Sequence, residues 1–126
     1  MKDFRCVCNS NYSFFITSIL VARYNLLTGI IIYIVACCST LYHNDLSVFK
    51  YRVLDCISAI LAAGFILITQ FNNIKLSNII FLGIAFICWI SSSIAWKYDY
   101  KFIYAILHSL WHIMVALELI KIFYFK

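Results

Sequence analysis

A chain of 126 residues is at most one domain. With 65% hydrophobic residues, 12% charged residues and a mean hydropathy of +0.95, it is not an ordinary soluble protein, whose apolar share is about 45–50%. The net charge of +5 is spread over the ends and short connectors, a pattern that suits anionic headgroups and membrane topology and carries no nucleic-acid signal.

The sequence reads as an integral membrane protein. It has no proline and only Gly29, Gly64 and Gly83, so nothing in its apolar runs breaks a helix. The expected fold is all-α, a single transmembrane domain over residues 1–126 with a short N-terminal tail at residues 1–11. Within that tail "KDFR", followed by "FFITSILVA", faintly resembles a signal peptide or signal anchor, although Asn9, Ser10 and Asn11 interrupt it. Cys6 and Cys8 stand one residue apart, a spacing that says little about metal or disulfide. Cys37, Cys38, Cys56 and Cys88 fall within apolar helical runs, where cysteine behaves as a small hydrophobe.

From Tyr12 to Tyr42 the chain is apolar except for "RYN" at 23–25, and a single helix of that length would be roughly 46 Å long. A turn is therefore expected at Arg23-Tyr24-Asn25, between a short helix ending near Ala22 and a full helix from Leu26 to Tyr42. Three later segments meet the requirement of about 20 apolar residues for a hydrocarbon core of roughly 30 Å: Tyr51 to Gln70, Leu76 to Trp96 and Phe102 to Phe125. Their connectors, "FNNIK" and "KYDYK", are short and polar, so these helices run antiparallel to their neighbours. The expected bundle has about five transmembrane helices; the alternative is four, with Tyr12 to Ala22 lying in the interface.

Every histidine of the chain, His43, His108 and His112, falls at or within a span. Parity brings them to one membrane face. His43 ends the Leu26 helix, and Asp55 lies near the start of the next, on the same side. Two crossings later the Phe102 helix starts there again, with His108 and His112 roughly 9 and 15 Å along it. Residues four apart share a helix face, which pairs His108 with His112 and Ser39 with His43. Three neutral imidazoles satisfy three positions of a tetrahedral zinc ion and leave the fourth for water, as in catalytic sites. Zinc brings the pKa of that water toward about 7. Asp55 is suited to take the water's proton or to orient a ligand, and Ser39 to hydrogen-bond the water or the developing oxyanion.

Each of these residues also has an ordinary reading. A histidine in a membrane helix commonly bonds a neighbouring helix, and serine packs well between helices. Asp55 fits that reading less easily, because an unpaired carboxylate there is expensive. Glu118 is turned off the histidine face and can pair with Lys121 near the far interface. Asp99, Lys97 and Lys101 belong to a solvated connector. Trp111 is expected in the core or along a lipid-binding pocket. With five crossings, Lys2, Arg5, Lys50, Arg52, Lys97 and Lys101 share the histidine face, against Arg23, Lys75 and Lys126 opposite, which turns the site toward the cytosol; with four crossings that bias disappears.

"STLYH" with Ser39 and His43, "VLDCISAILAAG" with Asp55, and "HSLWH" with His108 and His112 together resemble the superfamily of seven-helix membrane proteins that includes alkaline ceramidases, the hemolysin III and adiponectin-receptor group, and GPI-remodelling proteins. The match spans residues 39 to 112. The resemblance implies zinc on the three histidines, with Asp55 and Ser39 assisting the water, and cleavage of an amide or ester bond in a membrane lipid such as ceramide or another acyl lipid. The alternative it implies is a receptor-like or membrane-remodelling relative that keeps zinc without turnover. This chain has room for two fewer helices than the superfamily, and Cys56 stands where a histidine often follows the aspartate. The cavity is then completed by an oligomer, by a partner chain, or by the shortened bundle alone.

Overall fold

Asn25 divides an apolar stretch that is too long for one membrane helix. Its side chain accepts a hydrogen bond from the Thr28 backbone N–H at 3.0 Å, capping the helix that follows. In the computed structural model, which describes residues 5–46 and 48–124, all regular structure is helical. The elements are α1 (Arg5–Ser10), α2 (Tyr12–Ala22), α3 (Leu26–Asn44), α4 (Phe49–Gln70) with a short 3₁₀ turn at Phe71–Asn73, α5 (Leu76–Lys97) and α6 (Lys101–Tyr124). The side chains of Arg5, Cys6 and Cys8, together with Lys2, Phe125 and Lys126, lie outside the described residues, so the readings placed on them are not addressed by the structure.

Four helices, α3 to α6, are long and apolar enough to cross a membrane, as a multi-pass membrane protein requires. The α1 and α2 helices run beside α6. Val7 clusters with Tyr104 and Ala105, Ser10 reaches His112, Thr17 Oγ1 lies 3.4 Å from the Ala116 carbonyl, and Tyr124 Oη donates to the Leu20 carbonyl at 3.4 Å. The partners advance together along both chains, so α1–α2 lies parallel to α6 and follows it from end to end. Asn11 keeps right-handed helical dihedrals between the two short helices, and residues 5–22 together cover about 27 Å of helical rise. The fold is therefore an all-α bundle of four long apolar helices with the α1–α2 segment packed along α6.

This arrangement revises the expected tail at residues 1–11. Arg5–Ser10 is helical, and Val7, Ser10 and Asn11 are buried against the bundle. A second revision is smaller: α4 starts at Phe49, two residues before the expected span, so Asp55 lies nearly two turns into its helix.

Small side chains line the packed seams, as expected where lipid and protein are equally apolar and close backbone approach provides the attraction. Ala85, Ser92 and Ala95 of α5 and Ala105, Ser109 and Ala116 of α6 are all buried. His108 and His112 occupy the same inward stripe of α6 as these small residues. By contrast α4 packs mainly on α3 and stands away from α5 and α6, leaving a gap in the bundle.

Candidate metal centre

Two helices carry the imidazoles. His43 is in the last turn of α3, and His108 and His112 are one turn apart on α6. All three are buried, at 3%, 8% and 3% exposure. Their ring centroids are 4.8 Å (His43–His108), 5.3 Å (His43–His112) and 4.8 Å (His108–His112) apart, in edge-to-face orientations that aim ring edges inward. One ring nitrogen from each lies within 4.8 Å of the others, so the cluster can hold a metal ion. Bonds of about 2.0–2.1 Å would draw these nitrogens closer together, within reach of small side-chain rotations.

Asp55 and Ser39 are not ligands in this cluster but line the same cavity as His108 and His112. Ser39 is buried, and its Oγ lies 3.2 Å from Asn11 Oδ1. Asn11 is 1% exposed, and its Nδ2 has no hydrogen-bond partner among the described residues.

The cavity has a volume of about 440 Å³ and lies between α4 and the α5–α6 pair. One end carries the two histidines, Asp55 and Ser39. The remainder is apolar, running past Trp89 and Trp111 toward Leu119 and Ile122. Trp111 therefore faces this cavity, and its ring centroid is 6.4 Å from that of Trp89. His43 sits behind the other two histidines, away from the lining.

Each expected site residue thus lies at one end of the bundle, the three histidines as a cluster and the aspartate and serine beside it. Sequence reasoning missed Ser10, Asn11 and Ser92. Ser10 Oγ lies 2.8 Å from His112 Nδ1, and Ser92 Oγ lies 3.1 Å from His108 Nδ1. Ser92 is one of three consecutive serines in α5, and only its angular position shows that it, of the three, faces α6. Glu118 is on the opposite half of α6, bonded by Asn78 Nδ2 and 3.5 Å from Lys121 Nζ, away from the histidine cluster. Among known proteins, the chain matches no family model, no curated protein and no solved structure.

Proposed function

We propose that the protein is a zinc-dependent integral membrane hydrolase that cleaves an amide or ester bond of an acyl lipid, ceramidase-like in its chemistry. The observation that carries this reading is the junction of three buried imidazoles with a carboxylate and a hydroxyl, at one end of an apolar cavity. His43, His108 and His112 are the metal-binding residues. A donor set of three neutral imidazoles suits zinc and leaves a coordination position open. When bound, zinc supplies Lewis acidity and lowers the pKa of water toward about 7.

The residues around it have separable tasks. The apolar wall from Trp111 to Ile122 holds an acyl chain and excludes water, while the polar end orients the carbonyl. Asp55 takes the proton of the attacking water and returns it to the leaving nitrogen or oxygen, so that the acyl–heteroatom bond breaks to give a fatty acid and a neutral amine or alcohol. Ser39 Oγ donates to the carbonyl oxygen as charge collects there. The resemblance to the ceramidase and hemolysin III superfamily supports the same assignment.

The test is metal analysis of the purified protein, followed by incubation with ceramides and other acyl lipids with and without a zinc chelator. We expect about one zinc per chain, lost in the His108→Ala, His112→Ala double variant, and chelator-sensitive release of fatty acid. Asp55→Asn should retain zinc and lose roughly 10²–10⁴-fold in turnover. Zinc bound without release of fatty acid from any lipid would favour the receptor-like reading. A wild-type chain without zinc would overturn both.

A further inference from the structure

We propose that Ser10 and Ser92 are positioning residues of the metal centre: each holds one histidine as its Nδ1–H tautomer and turns the bare Nε2 toward the shared point. This inference rests on the metal reading above and concerns how the ligands are prepared for the ion.

It follows from a count of protons. Ser10 Oγ donates to the Val7 carbonyl at 2.7 Å and also lies 2.8 Å from His112 Nδ1. A serine hydroxyl has one proton. With that proton on the Val7 oxygen, the contact to His112 is a hydrogen bond only if Nδ1–H donates to the serine lone pair. Ser92 repeats the arrangement from another helix: Oγ donates to the Trp89 carbonyl at 2.7 Å and lies 3.1 Å from His108 Nδ1. In each case a carbonyl one turn back on the serine's own helix engages the hydroxyl and leaves it an acceptor.

A neutral imidazole with its proton on Nδ1 has an unprotonated Nε2, the form a metal requires. The opposite tautomer would direct an N–H at the ion and could not bind it. Ser10 is 8% exposed and Ser92 is fully buried, so little water competes for either contact. Partners on the second ring nitrogen of a metal-binding histidine fix both tautomer and ring orientation. Here two helices, α1 and α5, support two ligands on a third, α6.

The experiment measures Zn²⁺ affinity by chelator competition on the full-length protein in lipid nanodiscs, for the wild type, Ser10→Ala, Ser92→Ala and Ser10→Thr. Each alanine variant should bind zinc about 10–100-fold more weakly. Ser10→Thr keeps the hydroxyl and should stay close to wild type. Helical content and a single elution peak check that each variant is folded. Alanine variants that bind zinc as tightly as wild type would overturn the inference while leaving the metal reading intact. Nitrogen-15 spectra of the metal-free wild type provide a readout that needs no variant. Protons on Nδ1 of His108 and His112 are expected, and protons on Nε2 would overturn the proposal whether or not zinc binds.

Discussion

Asp55 and Glu118 are carboxylates on membrane-crossing helices with different surroundings. Glu118 is 2% exposed and accepts a hydrogen bond from Asn78, with Lys121 at 3.5 Å. Those partners account for its burial, so its role is in stability. Glu118→Ala should destabilise the folded protein by about 1–3 kcal/mol, because Asn78 Nδ2 is left buried without an acceptor. Glu118→Gln, which keeps an acceptor, should cost less, and both variants should retain the zinc content of wild type; denaturation together with metal analysis checks this. The Glu118–Lys121 pair was legible in the sequence because helical spacing is local. Asn78 was not, because it lies 40 residues away and no local pattern links it to Glu118. Ser10 was hidden for a related reason: within "CNSNYS" it reads as loop chemistry, and only its contact with α6 gives it a role.

The tight turn between α2 and α3 depends on Gly29. A Cβ built there would lie 2.5 Å from Ala22 Cβ and 2.7 Å from its Cα, so a side chain would push against backbone that has little freedom to yield. Gly29→Ala should therefore destabilise the hairpin by about 1–3 kcal/mol, read as a lower denaturation midpoint. The α5–α6 turn is the counter-example. Asp99 has φ 60°, in the left-handed region, and the Tyr100 N–H closes on the Ala95 carbonyl at 2.9 Å, as in a glycine-type helix ending. Its ion pair with Lys101 is exposed and of little value. Asp99→Gly should leave the turn intact and raise stability by up to about 1 kcal/mol. Both turns were legible, the first because one helix of that length exceeds a bilayer and the second because charge clusters between two apolar runs. The α1 helix was not, since six residues of mixed polarity carry no resolvable period and are helical through packing on α6.

Across the whole molecule, parity alone sufficed to bring His43, Asp55, His108 and His112 to one end. What it could not supply was the separation of α4 from α5 and α6, which creates the cavity and depends on side-chain packing between distant segments. On the zinc reading, a ligand that binds only the folded bundle stabilises it by mass action, by about 2.7 kcal/mol at a concentration 100 times its Kd. Chelator should then lower the melting temperature of the wild type by roughly 10 °C. The His108→Ala, His112→Ala double variant should melt at the same temperature with and without chelator. A thermal scan of both proteins in the same membrane mimic decides the matter.

The bond between Ser10 and His112 joins residues 102 positions apart. During synthesis the α6 helix leaves the ribosome after every other helix described above, and it brings two of the three imidazoles with it. A nascent chain halted at Asp99 would already have inserted its earlier helices yet would have no cation pocket. Assembly of the centre thus waits for α6, whose emergence is what first lets Ser10 and His112 meet.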